Sequence, residues 1–205
     1  MSTPRRLAVI NHEAGRPLAT VPLVSDRREQ ILATAAGLFA RRGFHGVSIA
    51  DIGAACGISG PALYKHFDGK DALLAEMLVG ISEQLLGVGR ERVTAADGPT
   101  SSLEALLGWH VSFALEHPEL IVVQDRDWCS LPDAARERVR GLQREYVGVW
   151  VEVLRALRPD LPPETARARV HAGFGLINST PHSALLARGR MQPLLEDMAR
   201  AALLA

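Results

Sequence analysis

The spacing of apolar residues constrains this fold more than any other feature of the sequence. From Asp26 onward, apolar side chains recur at intervals of three and four, as in Val139, Leu142, Tyr146 and Val149. Such spacing aligns them along one face of an α-helix. No alternating apolar–polar pattern bounded by hairpin turns occurs, so β-strands are not expected. The sequence therefore predicts an all-α fold for this chain of 205 residues.

Glycines that end helices and serines that cap them divide the first part of this pattern into separate helices. The helix that begins at Asp26 is expected to end at Gly43, because a helix end favours a residue able to adopt positive φ. Ser48 is predicted to cap a second, short helix, with Asp51 favourably placed in its first turn. Gly57 is expected to end that helix.

A third short helix follows directly after this turn. Ser59 is its predicted cap, and it is expected to run for about seven residues and end near His66 and Phe67. Two short helices joined by a tight glycine-containing turn, after a longer helix, form a helix-turn-helix arrangement. The second of these helices must be slim to enter the DNA major groove, and Gly60 and Pro61 give it a thin leading end.

The chain divides into three predicted parts. Residues 1–24 contain several prolines and glycines and are expected to form a flexible arm. Arg5, Arg6 and Arg16 give the arm the charge to lie along the minor groove, the alternative being a solvated tail. Residues 25–72 form the predicted helix-turn-helix domain, and residues 73–205 a larger helical domain. Its later helices are expected at about 101–116, 118–126, 132–157, 163–187 and 191–204.

Composition excludes several classes of protein. Apolar residues make up 47% of the chain, but no apolar run approaches the roughly 20 residues of a membrane-spanning helix. No apolar segment follows Arg5 and Arg6 as in a secretory signal, so we expect a cytoplasmic protein with no membrane partner. Cys56 and Cys129 are expected to be reduced and mostly buried. The zero net charge permits DNA binding, because a local basic surface suffices.

Three runs of sequence resemble the TetR family of bacterial regulators. They are ILATAAGLFARRGF at 31–44, VSIADIGAACGIS at 47–59 and LYKHFDGKDALL at 63–74. The resemblance covers about 50 consecutive residues in the family's order. It implies a dimeric, helix-turn-helix DNA-binding protein whose rear helices bind an effector, and it implies no resident cofactor.

The resemblance also implies a DNA-contacting surface. In such proteins the residues at Ser48 and Lys70 commonly contact phosphate, Tyr64 faces the DNA, and His66 lies close by. The position of Gly60 often carries a larger polar residue in relatives, so base recognition here is expected to depend on Tyr64, Lys65 and the arm. The complete predicted surface consists of Arg27, Ser48, Ser59, Gly60, Pro61, Tyr64, Lys65, His66 and Lys70.

A pocket for a small-molecule effector is implied within the rear helices. Aromatic residues are scarce in this chain and concentrate there, which fits an apolar site with a few polar groups. Core filling is the alternative for each of them. The histidines lack the spacing of a metal site on one helix, so no metal is expected. The candidate ligand-binding residues are Trp109, His110, Phe113, Trp128, Tyr146, Trp150, Phe174 and Asn178.

The last two helices are implied to form a four-helix dimer interface. Gly173 and Gly175 would let a partner helix approach closely, although the same faces could instead pack inside one subunit. The predicted interface residues are Val170, Phe174, Ile177, Leu194, Leu195, Met198 and Ala202.

The expected function is that of a ligand-responsive repressor released from a palindromic operator. Residues 118–128 and 174–182 are similar to actinobacterial TetR regulators tied to acyl-CoA metabolism, so we expect an apolar or acyl-CoA-like effector. One alternative is a regulator switched by a protein partner or by oxidation of Cys129. A helical enzyme is a further alternative, but no GxSxG, HExxH or Walker pattern occurs and no catalytic residue is assigned.

Overall fold

The computed structural model describes residues 26–205, and its regular elements in that range are helices and no strands, which confirms the all-α prediction. The predicted arm at 1–24 lies outside the described residues. The helices are α1 (Asp26–Arg42), α2 (Ile49–Ala55), α3 (Gly60–Leu63), α4 (Lys70–Ala95), α5 (Pro99–Glu116), α6 (Pro118–Asp127), α7 (Asp133–Leu157), α8 (Pro163–Ile177), α9 (Thr180–Ser183) and α10 (Arg188–Leu204), with a 3₁₀ turn over Trp128–Ser130.

The predicted helix ends around α2 are confirmed in detail. Gly43 and Gly57 adopt φ values of 77° and 67°, a region that disfavours residues with a Cβ atom. Ser48 and Asp51 form a capping box. The Ser48 Oγ accepts the Asp51 backbone N–H at 3.1 Å, and the Ser48 backbone N–H donates to Asp51 Oδ2 at 2.8 Å.

The third helix is shorter than its sequence predicts. Ser59 caps it as expected, its Oγ accepting from the Ala62 N–H at 3.3 Å, but α3 ends at Leu63. Beyond Leu63 the backbone continues as tight turns. Lys65 and His66 donate to carbonyls three residues earlier, a bonding pattern that overwinds the last turn of a helix.

The helix-turn-helix domain has its own apolar core, but later helices complete it. Ile31, Phe39, Ile52 and Leu63 have no solvent exposure. The same cluster includes Leu73, Leu74 and Met77 of α4, Val123 of α6, and Leu131 and Val139 around the start of α7. The core therefore continues across the domain boundary expected at residue 72, and the two parts of the chain share buried surface.

Helix α4 connects the two parts of the molecule. It is long and apolar enough to span a membrane by length and composition alone, contrary to the expectation from the sequence. It contacts α1, α5 and α7 along its length, which is the packing of a core helix. Its first half belongs to the helix-turn-helix core, and its second half, through Leu86, belongs to the core of the rear helices.

The C-terminal helices differ from their predicted ranges. The helix expected over 163–187 ends at Ile177 and is followed by the short α9 and an extended connection. Pro181 lacks the N–H that would continue the ladder, and the Thr180 side chain donates instead to the Ala114 carbonyl on α5 at 3.1 Å. Helix α10 begins at Arg188, so Gly189 lies in its first turn and does not break it.

Candidate DNA-binding surface and effector pocket

The predicted DNA-binding residues that carry exposed side chains lie at the caps of α2 and α3, on α3 itself and in the turn that follows it. Tyr64 is 56% exposed, an unusual state for a tyrosine in a folded domain. Ser48, Ser59, Pro61 and Lys65 are also exposed. At Gly60 a Cβ atom would meet nothing within 4 Å, so the leading end of α3 is open. This surface offers hydroxyl and ammonium donors of the kind that contact phosphates and base edges.

Lys70 and Arg27 lie in the predicted surface but bond within the protein. The Lys70 Nζ donates to the carbonyls of Phe44 at 2.7 Å and Val47 at 2.9 Å, and it lies 4.2 Å from the centre of the Phe44 ring. Arg27 donates to the Cys56 carbonyl at the end of α2 at 2.9 Å. Both residues hold the helix-turn-helix together. An ammonium group has three N–H donors, so Lys70 keeps one for the predicted phosphate contact.

Arg28 is a positioning residue that sequence analysis missed. Its guanidinium forms a two-point ion pair with Glu76 of α4, donates to the His66 carbonyl, and lies 4.2 Å from the centre of the Phe67 ring. Hydrogen bonding to Glu76 raises the pKa of Arg28. The contacts join α1, α4 and the end of α3, so Arg28 fixes the orientation of the segment that carries Tyr64.

A second missed pair connects the rear domain to α1, and we name it the Arg126–Asp127 clasp. Arg126, at the end of α6, donates to the carbonyls of Phe39 and, at 3.1 Å, Ala40 in the last turn of α1. Asp127 is buried, and its Oδ1 accepts the Phe44 backbone N–H at 3.2 Å. A cation at a helix C-terminus and an acceptor for the following N–H both stabilise that helix end.

A cavity of about 220 Å³ lies between α4, α5, α6, α7 and α8. Four predicted ligand-binding residues line it, namely His110, Tyr146, Phe174 and Asn178. The other lining residues were not predicted, and they are Ser82, Leu85, Gln124, Leu142, Gln143, Val147 and His171. A smaller cavity of about 40 Å³ shares His110 and Asn178 and extends to the predicted Phe113. We refer to the two together as the effector cavity.

His110 lies at the centre of the aromatic wall. Its ring stacks on Phe174 with centroids 4.5 Å apart and planes 9° apart, and Trp150 contacts it edge-on. Its Nδ1 lies 3.2 Å from the Tyr146 hydroxyl and its Nε2 lies 3.3 Å from Asn178 Oδ1. Complete burial lowers the pKa of His110 to about 4, against a smaller opposing effect of Asn178. The imidazole is therefore neutral at pH 7.

Burial also raises the pKa of Tyr146, which keeps its hydroxyl protonated and able to donate a hydrogen bond. The cavity wall is thus uncharged around His110, Tyr146 and Asn178, and a ligand there meets a small number of oriented polar groups on an apolar surface. That composition is typical of a site for a neutral or largely apolar molecule.

Three predicted pocket residues do not line the effector cavity. Trp150 is 1% exposed and packs behind His110 as core. Trp109 packs beside Arg92, whose guanidinium lies 5.4 Å from the ring centre. Trp128, in the 3₁₀ turn, packs against the helix-turn-helix core. The core-filling alternative therefore fits Trp150 and Trp128, whereas Trp109 is partly buried and belongs to neither core cluster.

The predicted dimer residues divide between buried and exposed positions. Val170, Ile177 and Leu195 are 2% exposed or less and belong to the subunit's own core, as the packing alternative expected, and Phe174 lines the effector cavity. Helix α8 packs directly on α10, and this contact within the subunit covers the apolar faces that carry Val170, Ile177 and Leu195. Leu194 and Met198 are 42% and 48% exposed, while Ala202 is partly buried.

The two cysteines are free, as expected, but only Cys56 is buried. Cys129 is exposed in the 3₁₀ turn, which corrects the prediction that both thiols are mostly buried. The alternative of a thiol-controlled regulator stays a prediction, since exposure is needed for oxidation and does not establish it. Within residues 26–205, no group of three histidine, cysteine or acidic residues is placed to bind a metal.

Comparison with known proteins assigns the chain to a family. The model for bacterial regulatory proteins of the tetR family matches residues 31–77, and the model for a tetracyclin repressor-like C-terminal domain matches residues 96–182. A curated relative, the HTH-type transcriptional repressor KstR2 of Rhodococcus jostii (strain RHA1), is 32% identical over 133 residues, 64% of this chain. The match spans 65% of that relative's length, slightly under two thirds.

Solved structures share the fold. A TetR-family transcriptional regulator from Bordetella parapertussis 12822 superposes with a TM-score of 0.76 at 27% identity, covering 85% of this chain and 94% of that one. AibR, solved in complex with isovaleryl coenzyme A and operator DNA, has a TM-score of 0.68 at 20% identity, covering 84% and 97%. The chain therefore belongs to the TetR family of bacterial regulatory proteins and is a helix-turn-helix transcriptional regulator, not an enzyme.

Proposed function

We propose that this regulator is a repressor that binds a palindromic operator as a homodimer and is released when an apolar or acyl-CoA-like effector fills the effector cavity. One observation carries the proposal. Two helices that line the cavity, α4 and α6, also contribute residues to the helix-turn-helix core.

Each of these helices joins the two sites in a different way. Ser82 and Leu85 of α4 line the cavity, and Lys70 at the start of the same helix is bonded to the loop before α2. On α6, Gln124 lines the cavity, and the Arg126–Asp127 clasp follows two residues later. A ligand that displaces Gln124 therefore acts within one helical turn of the contacts to α1.

The switch operates as a shift between two populations. A dimer places two copies of α3 in successive major grooves, which requires a separation of about 34 Å between them. An effector that binds better when α4 or α6 is tilted favours a different separation, and operator affinity falls. Its differential affinity for the two states sets the extent of release.

Helix α10 offers the dimer surface. Leu194 and Met198 are large apolar residues four positions apart on its exposed side, so they form a continuous strip along the helix. Exposed apolar strips of this kind commonly mark subunit interfaces. The four-helix interface of the proposed dimer therefore uses the outer face of α10. Ala202 lies at the far end of this face, and the buried Leu195 is not part of it.

The names of two relatives support the proposal. KstR2 is a transcriptional repressor, and AibR was solved with isovaleryl coenzyme A and operator DNA. The first name supports repression, and the second supports an acyl-CoA-like effector.

A gel-shift titration on the DNA upstream of the protein's own gene tests the proposal. The wild type is expected to give a specific shift that competitor DNA does not remove, and Tyr64→Ala is expected to abolish it. Because Tyr64 is exposed, the variant should keep its circular dichroism spectrum and melting temperature. Lys65→Ala should reduce the slope of log affinity against log salt by about one. Arg155→Ala removes an exposed charge on α7 and serves as the matched control.

The results separate the parts of the proposal. A shift that persists in Tyr64→Ala, or loss of the shift only through misfolding, would overturn the assigned DNA-binding surface. An effector that leaves the shift unchanged at saturating concentration, although calorimetry shows that it binds, would overturn the release mechanism.

A further inference from the structure

A basic groove opens on the outer side of the effector cavity, between α7 and α8. It encloses about 190 Å³ and is lined by Arg140, Gln143, Arg144, Val147, Arg167 and His171. Gln143, Val147 and His171 also line the effector cavity, so the groove and the cavity meet along these three side chains.

The charge in this groove is not balanced by the protein. Glu137 lies 3.8 Å from Arg140 and 3.3 Å from Arg144, so one carboxylate serves two guanidinium groups. Among the described residues, Arg167 has neither an ion pair nor a side-chain hydrogen bond. Arg140 and Arg144 are four positions apart on one helix, where like charges repel each other. With three arginines and one carboxylate, the groove presents excess positive charge to an incoming anion.

One row of side chains along α8 runs from the groove to the effector cavity. On α8, Arg167, His171, Phe174 and Asn178 follow one another at intervals of three or four, from the groove to the interior of the cavity. The outer end of this row is cationic and the inner end is aromatic and amide. A molecule that lies along it meets positive charge at one end and a neutral wall at the other.

We propose that the groove binds the phosphate-bearing head of an amphipathic effector whose uncharged apolar part fills the effector cavity. The inference rests on the proposed function, because it assigns the ligand of that same cavity. A guanidinium group binds phosphate through two parallel hydrogen bonds, and three of them around one groove suit a head with more than one phosphate. A charged head is excluded from the interior, because no arginine, lysine or carboxylate lines the effector cavity.

Isothermal titration calorimetry of the full-length protein without DNA tests this inference. The probes are octanoyl-coenzyme A, octyl phosphate and octanoyl-pantetheine, which carry tails of equal length. The two phosphate-bearing probes are expected to bind at least tenfold more tightly than the pantetheine thioester. Tighter binding of the coenzyme A thioester than of octyl phosphate would identify a nucleotide-bearing head, and equal binding a simple phosphate monoester.

Substitutions localise the effect. Arg144→Gln and Arg167→Gln are each expected to weaken octanoyl-coenzyme A binding about tenfold, as loss of a charge-assisted hydrogen bond does, and to leave octanoyl-pantetheine unchanged. Arg155→Gln, on α7 outside the groove, is the matched control. The inference is overturned if the pantetheine thioester binds as tightly as the others, if no probe binds, or if the groove variants bind like the wild type. Operator binding is measured separately, so a failure of the DNA-binding function remains distinguishable.

Discussion

The neutral state of His110 predicts how the stability of this protein depends on pH. Its pKa is about 4 in the folded chain, against an ordinary value of 6.5 when the chain unfolds. The unfolded state therefore binds a proton more readily than the folded state below pH 6.5. Since this folded pKa is depressed, the group has no effect on stability at pH values well above 6.5, and it destabilises the fold progressively as pH falls toward 4.

The size of this effect follows from the two pKa values. Between pH 7 and pH 5, protonation of His110 in the unfolded state alone should lower the free energy of unfolding by about 2 kcal/mol. His110→Phe removes the titrating group and keeps an aromatic ring to stack on Phe174. It also leaves the Tyr146 hydroxyl and the Asn178 amide without their partner, so the variant should be less stable than the wild type at pH 7.

Urea unfolding at pH 7 and pH 5, at one fixed protein concentration, measures the effect. The wild type should lose about 2 kcal/mol more than His110→Phe over this interval. Comparison of the two differences cancels the other titrating groups and the variant's lower starting stability. His182→Gln, which removes an exposed histidine, is the control and should behave as the wild type. Equal losses in the wild type and His110→Phe would refute the assignment of a neutral, buried imidazole.

Three further substitutions test individual contacts. Gly89→Ala would place a Cβ atom 2.7 Å from the Tyr146 ring, so it should destabilise the fold by about 1–3 kcal/mol in urea unfolding, whereas Gly87→Ala, with open space at its Cβ, should not. Ser48→Ala removes the cap of α2 and should cost about 1 kcal/mol of unfolding free energy, measured the same way. Asp127→Ala leaves a buried backbone N–H without an acceptor and should cost about 2 kcal/mol; unchanged stability would contradict its role in the clasp.

Local features of this fold were predictable because neighbouring residues determine them. Ser48 and Asp51, three residues apart, each accept a hydrogen bond from the other's backbone N–H. Gly43 adopts a positive φ, which glycine does without steric cost. Such interactions depend on nearby sequence alone. The end of α8 at Ile177 was not predicted, although Pro181 lacks a backbone N–H. The apolar residues keep a helical spacing beyond Pro181, and this spacing predicted a longer helix.

The parts that were missed depend on contacts between distant residues. Arg28 and Glu76 are 48 residues apart, and Asp127 and Phe44 are 83 apart. No periodicity relates such pairs, so an exposed arginine and a positioning arginine look alike in sequence. The same limit applies to the dimer residues. Periodicity identifies the apolar faces of α8 and α10, but it does not decide which face packs inside the subunit.

The contacts between the rear domain and α1 are of a strength suited to regulation. The Arg126–Asp127 clasp consists of three hydrogen bonds to backbone groups, and each contributes about 1 kcal/mol, so breaking the clasp costs about 3 kcal/mol. Coupling between effector and DNA sites in allosteric proteins typically amounts to about 1–3 kcal/mol. Val123 and Leu131 also pack in the helix-turn-helix core, and these apolar contacts are separate from the hydrogen bonds of the clasp. In the proposed mechanism, a ligand against Gln124 would therefore open the clasp at a free-energy cost within that range and leave the helix-turn-helix domain folded.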